Sequence, residues 1–452
     1  MQKRYPALDI LRGLTIFGMI FCATIPYGVL PAWMYHIQTP PPSHAVDLTL
    51  TGLSWVDLVF PVFIFCMGVA IPMSGRNKLD RYFSETAERF VMLWLFSYLY
   101  VFLNFGSVDS IWAQVLTVVG FLSLFPLYFV YKKSNKKRLY KSLGLLAVII
   151  VIAVGHFAFG EVISLDRRGI IIFLLAFLYL FASIIWYFTR ESIKRRWIVF
   201  GAITLFSAIS MYFDLAQKAY SIESIRWIFN LEYILFLMIL IPATIIGDML
   251  LADKEKNNGF LQPDKKLKIN HLFFPLMVVF TGWLCYAFYM KLFILNLGVS
   301  AIFLFAFYLI INKYYPQYKK MFTIVALFTL IGILTDYVEG GIQKSPCTMS
   351  YCFITLSISV VLLWFAEYIA LYLPKSYITR IFSGSGSNPL MSYIAFNSFL
   401  IPVFKITGLI VIYKAAFPAE LPWLGVVSAA VFVLFMMALV AVLSERKIYW
   451  KA

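Results

Sequence analysis

Two histidines, His36 and His44, fall in one stretch, WMYHIQTPPPSHAVDLTLTG, with Asp47 three residues beyond the second. An imidazole titrates near neutrality, so it is the usual general base for an amine or hydroxyl, and a carboxylate commonly orients it. Pro40, Pro41 and Pro42 separate the pair. A proline run is stiff and extended, so it could hold both rings in place without secondary structure. Asp57 follows in GLSWVDLVFPVFIFCMG, a turn before Pro61, which loosens the local helix hydrogen bonding. It reads either as a buried partner for a histidine or cation, or as a helix-start aspartate favoured by the dipole. Asp9 and Arg12 share one helical face in ALDILRGLTIFGMIF, where they line a polar cavity or form an ion pair that snorkels. Near the other end, FSGSGSNPLMSY reads as a Gly/Ser-rich turn before a helix opened by Asn388 and Pro389. Backbone N–H groups at such a start can cradle an anion, and a plain inter-helix loop reads equally well. Two histidines and an aspartate at this spacing match no common ligand pattern, so no metal is expected.

The elements that position these residues are set by the bilayer. The chain is 62% hydrophobic and 13% charged, with mean hydropathy +0.84. Soluble domains are nearer half apolar and a quarter charged. Apolar runs of about 20 residues recur along the whole length, too long for barrel strands and right for membrane-spanning helices. The expected spans are 8–33, 53–74, 88–106, 111–131, 140–159, 169–189, 197–214, 228–251, 271–289, 292–312, 321–339, 348–372, 388–413 and 422–444. Some are short enough to merge or re-enter, so the expectation is an all-α, polytopic integral membrane protein of about 11–14 helices, forming one domain over 1–452. The first apolar run is long enough to span, and GVLPAWMYH after it lacks a small-residue cleavage site, so a signal peptide is not expected.

Alternate loops differ sharply in charge. MQKR, GRNKLDR, KKSNKKR, RESIKRR, DKEKNNGFLQPDKKLK, NKYYPQYKK, PKSYITR and ERKIYWKA, with adjoining Arg89 and Lys141, hold 29 of the 38 Lys and Arg. The opposite loops hold 7, among them Lys344. The positive-inside rule then puts both termini in the cytoplasm and the histidine stretch outside. Cationic loops on anionic headgroups account for the net charge of +16, so the bilayer is the expected partner and nucleic acid is not.

Other ionisable groups fall in or at the ends of spans: Asp214, Glu232, Asp248, Asp336, Glu339 and Glu367, of which Glu232 and Glu367 are the better interior candidates. His156 and His271 read as interfacial. Cys22, Cys66 and Cys285 read as packing residues, whereas Cys347 and Cys352 are close enough for a disulfide.

ALDILRGLTIFGMI, the histidine loop and GLSWVDLVFPVFIFCMG together resemble the transmembrane acyltransferases related to heparan-α-glucosaminide N-acetyltransferase. The resemblance is closest to a bacterial branch of unassigned activity and is specific over residues 5–74. NPLMSY is similar to the Asn-bearing stretch before that family's last helices. The resemblance implies an acetyltransferase of the bacterial inner (cytoplasmic) membrane. Acetyl-CoA would be the cytoplasmic cosubstrate, an amino sugar or other glycan the outer acceptor, and a homodimer is left open. His36 or His44 would be the catalytic base, with "MYH" favouring the first and "HA" the second. Asp57 would be its partner, and Arg12, with Asp9 and Asn388, would serve the donor. Two features depart from the pattern: Ala23 or Thr24 stands where animal members carry an asparagine, and AQVLTVV stands where relatives commonly carry Pro-Gly-Val-Leu-Gln-Arg. The alternative expectation is an amino-sugar transporter without acyl transfer.

Overall fold

The computed structural model describes residues 5–76, 79–131, 136–222, 232–256 and 271–451. All regular structure among them is helical. The long helices are α1 (Pro6–Cys22), α2 (Trp55–Gly75), α3 (Tyr82–Phe102), α4 (Ile111–Tyr128), α5 (Lys137–Phe159), α6 (Ile170–Thr189), α7 (Ile193–Tyr212), α8 (Leu237–Lys256), α9 (Phe273–Tyr289), α10 (Phe293–Tyr314), α11 (Lys319–Glu339), α12 (Met349–Tyr372), α13 (Tyr377–Gly386), α14 (Pro389–Thr407) and α15 (Pro422–Glu445). Among the described residues, 10 helices are long and apolar enough to cross a membrane by length and composition. The chain is a polytopic membrane protein.

Each of the expected spans coincides with a helix. Four of those helices fall short of the full length or hydropathy. α1 and α9 have 17 residues each, whereas α3 and α7 carry charges in or near their first turns: Glu85, and Lys194, Arg195 and Arg196. Arg226, the Glu232 side chain and the basic loop over 257–268 lie outside the described residues.

Three boundaries depart from the sequence reading, each for a local reason. α1 stops at Cys22 and does not continue to residue 33. Pro26 cannot donate into a helix, and Gly28 takes φ +75, a region costly to residues with a Cβ. The SGSG segment, 383–386, is the C-terminal end of α13, and the turn is confined to Ser387 and Asn388. Its small residues serve packing: a Cβ on Gly384 would sit 2.6 Å from that of Ala441 in α15. α14 holds a π-helical stretch, Phe396–Leu400, before Pro402, and ends at Thr407, with a separate short helix at Ile410–Ala415. The missing N–H of a proline is a direct cause of such a bulge.

The chain divides into two compact units. The first comprises residues 1–11, 28–82 and 178–379 and is organised on α2, α8 and α12. Gly68 of α2 and Gly247 of α8 let those helices approach closely, since a Cβ on Gly68 would meet that of Ala243 at 2.6 Å. Small residues at crossings are how membrane helices gain contact where lipid offers no hydrophobic drive. Glu339, at the end of α11, accepts from the Met349 and Ser350 amides and so caps α12. Cys347 and Cys352 flank the Thr348 N-cap, both buried with Sγ atoms 3.4 Å apart and not joined as a disulfide, in the positions of a hydrophobic staple.

The second unit comprises residues 12–27, 83–177 and 380–452, with α4 paired to α5 and α14 packed on α4. Gly13 of α1 lies against the Phe382 backbone, which leaves no room for a side chain there. The C-terminal segment returns into this unit: Val130 N donates to Tyr449 O and Lys451 N to Tyr128 O. Trp450 is buried among Phe96, Phe121, Phe125 and Tyr128. Asn388 clamps it, donating to Ile448 O at 3.0 Å and accepting from Trp450 N at 3.0 Å. Replacing Asn388 with Ala removes both bonds inside a buried site, at about 1–3 kcal/mol per unsatisfied group. The expected outcome is a thermal midpoint several degrees lower in nanodiscs, and an unchanged midpoint contradicts the clamp.

Candidate functional site

The site is built where α2 begins. Ser54 is the N-cap and Asp57 the third helical residue, so the Ser54 amide and hydroxyl both donate to Asp57 Oδ2, at 3.2 and 2.8 Å. This reciprocal arrangement is the capping-box logic with aspartate in the acidic place. Asp57 is 3% exposed, too enclosed to rely on water for its charge. Two further donors come from the preceding loop: Ile37 N at 3.3 Å, and His36 Nδ1 at 2.6 Å from Oδ1. The proton on Nδ1 belongs to that bond, because a bare ring nitrogen would oppose the carboxylate lone pairs. Nε2 is left at the other edge of a half-exposed ring.

A second loop closes on the first. Gly52 N donates to Ile342 O at 2.8 Å, and Gln343 Nε2 donates to Leu48 O at 2.9 Å. Gln38 makes a two-way pair with the Ser345 backbone, accepting from its N–H at 3.1 Å and donating to its carbonyl. Lys344 is thereby delivered to the dyad, its Nζ 3.5 Å from His36 Nδ1. From α12, the Tyr351 hydroxyl donates to the Asp57 carbonyl at 2.7 Å.

His44 goes elsewhere. The proline run is not an extended rod: His44 N donates to Pro40 O at 3.0 Å, closing a turn, and His44 itself takes φ +50. Its ring meets the Tyr35 ring edge-on, centroids 4.5 Å apart. Asp47 does not orient it, since Oδ1 accepts from the Thr49 amide and hydroxyl at 2.9 and 2.6 Å. Those bonds hold the Asp47 carboxyl below the usual carboxylate range. The structure thus brings together His36 and Asp57 of the expected site residues. Arg12 donates to Gly386 O at 3.3 Å, near the C-terminal end of α13. Asp9 is half-buried one turn earlier on α1. Asn388 gives one amide N–H to Ile448 O and turns the other to Met391 Sδ at 3.6 Å, while its oxygen accepts from Trp450 N, so neither N–H is left for a phosphate. Among the described residues, no group of three His, Cys, Asp or Glu could hold a metal ion.

With the geometry described, the comparisons take their place. Residues 4–250 match a family described as a domain of unknown function, DUF5009. The chain belongs to the DUF5009 family. No curated protein matches it. The DUF5009 match includes His36, His44 and Asp57, whereas Lys344, Tyr351 and Asn388 lie beyond it. Within the DUF5009 region a second polar cluster is structural. Arg196 is fully buried and reaches Asp248 at 2.6 Å, Thr189 at 3.1 Å and Thr244 at 3.4 Å, and Trp186 also donates to Asp248. Beyond the DUF5009 match, buried Glu367 accepts the hydroxyls of Tyr5 and Tyr318.

Sequence reasoning missed Lys344, Gln38 and Tyr351. Lys344 carried one faint signal, as one of only 7 cations in the sparsely charged loop set. The Gln38–Ser345 pair makes a checkable claim. Gln38→Ala should speed hydrogen exchange at the Ser345 amide by about tenfold, the equivalent of one hydrogen bond of roughly 1.4 kcal/mol. Unchanged exchange across 341–347 contradicts the pairing.

Proposed function

We propose that this chain is a membrane-embedded acyltransferase that moves an acetyl group from cytoplasmic acetyl-CoA to an amino sugar or sugar hydroxyl on the outer side. The observation that carries the reading is the 2.6 Å bond from His36 Nδ1 to a buried Asp57, which leaves Nε2 as a base at a loop surface. The resemblance of residues 5–74 to the heparan-α-glucosaminide N-acetyltransferase relatives supports it. The loop charge asymmetry supports an orientation with both termini cytoplasmic, in a bacterial inner membrane.

In this reading the acceptor amine or hydroxyl gives its proton to His36 Nε2 as its nitrogen or oxygen attacks the thioester carbonyl. The C–S bond breaks, an amide or ester forms, and the imidazolium returns the proton to the departing thiolate. Asp57 stabilises the imidazolium and fixes the ring, the role a carboxylate plays beside a catalytic histidine. Arg12 and Asp9 keep the donor-side role. Asn388 is left out because its amide is committed to the C-terminal segment.

The test is acetyl transfer from labelled acetyl-CoA to glucosamine-type acceptors by proteoliposomes of the full chain. His36→Gln should lower turnover at least 100-fold, the lower range for a general base, and Asp57→Asn should lower it comparably. His44→Gln should stay within threefold of the wild type. Equal losses at His36 and His44 defeat the assignment of the base. Sugar uptake without any acyl donor, and no transfer product, defeats the enzyme reading in favour of a transporter.

A further inference from the structure

Asp57 poses a problem of charge. Its carboxylate is enclosed at the start of a membrane-spanning helix, and four donors already occupy it: His36 Nδ1, Ile37 N, Ser54 N and Ser54 Oγ. A carboxylate offers about four acceptor sites, so its hydrogen bonding is complete. Three of those donors are uncharged by type, so hydrogen bonds alone leave a net negative charge in a poorly solvated place. Either His36 supplies the countercharge as imidazolium, or another group does. A doubly protonated ring has no Nε2 lone pair and cannot act as a base.

Lys344 is placed to decide this. Its Nζ lies 3.5 Å from His36 Nδ1, and its charge acts on Asp57. Nδ1 has one proton and gives it to Asp57, so the ammonium, a pure donor, gains no strong bond from that nitrogen. What it contributes is charge, which lowers the energy of the carboxylate and raises that of an imidazolium. The Tyr351 phenol of α12 and the Cys285 thiol of α9 also feel the charge of Asp57. Neither type carries charge at neutral pH in its ordinary state. The position of Lys344 is also built rather than incidental. Gln38 grips the next residue from both sides, and Gln343 and Ile342 are bonded to the histidine loop.

We propose that Lys344 is the counter-ion of Asp57 and thereby a positioning residue of the site: it holds His36 in the Nδ1-protonated tautomer with Nε2 unprotonated. The site then needs a loop that lies beyond the stretch matched to DUF5009. The consequence for turnover rests on the acyltransfer reading, whereas the protonation state of the ring does not.

The experiment is ring 15N NMR of histidine-labelled full chain in nanodiscs at pH 7. The chain has four histidines, and His36→Gln assigns the signal. Expected for the wild type is one protonated and one bare ring nitrogen, the protonated one being Nδ1. Lys344→Met should raise the doubly protonated population of His36 at least tenfold, and Lys344→Arg should restore the wild-type pattern. Lys344→Gln, closer in polarity to the native side chain, serves if the methionine variant does not fold. An unchanged ring in the neutral variants overturns the proposal, as does a wild-type ring protonated on both nitrogens. Where acetyl transfer is measurable, Lys344→Met should lower kcat at least tenfold with KM within threefold. The expected NMR pattern without any transfer product would retire the acyltransferase reading and leave the counter-ion in place.

Discussion

A buried carboxylate at the first turn of a membrane helix constrains everything around it. Asp57 cannot be left to lipid, and at 3% exposure it cannot be left to water. The helix start supplies part of the solution, because its dipole and its unpaired amides favour negative charge there. The loop before α2 supplies the rest by presenting His36 and Ile37 N, so it must fold back onto the helix it leads into. That requirement gives a reason for the turn at Pro40–His44 and for the second loop pinned against it. The polar centre thus sits where two loops meet, and their own cross-bonds hold them together around it.

The same physics sorts the other ionisable groups. Arg196 and Asp248 neutralise one another within a ring of threonine and tryptophan donors and acceptors, and Glu367 is satisfied by two phenols. In both clusters the buried charge is met by neighbouring side chains. The His36 ring differs in that only one nitrogen serves Asp57, and the ring stands half-exposed. A saturated polar cluster rigidifies a fold, whereas one with an uncommitted ring nitrogen at a surface can do chemistry. That contrast, more than the count of intramembrane charges, separates the candidate site from its neighbours.

How much was legible in the sequence follows from the range of the interactions. Helix positions were readable, because each span writes its own apolar run into consecutive residues. The end of α1 was misread because hydrophobicity continues past Cys22 while Pro26 and Gly28 turn the backbone. The SGSG stretch departs from its sequence reading for the opposite reason. Its composition suits a turn in water, but in a membrane protein small residues mark a helix contact, here with Ala441. The pairing of His36 with Asp57 spans 21 residues and was readable as two alternatives. The choice between His36 and His44 was not, since it turns on the fold of the proline segment. Lys344, 308 residues from His36, was beyond any local pattern.

Distance along the chain also bears on what a family match can carry. The DUF5009 region ends at residue 250, yet α12 and the loop before it provide Lys344, the Ser345 clasp and the Tyr351 hydroxyl bonded to the Asp57 carbonyl. α12 is also one of the three helices on which the first unit is organised. A segment that carried only residues 4–250 would hold both histidines and Asp57 but lose the Lys344 contact with the His36 ring and the clasp between Gln38 and Ser345. The polar cluster around Asp57 therefore extends beyond the matched region, to residues whose only link to His36 is the fold.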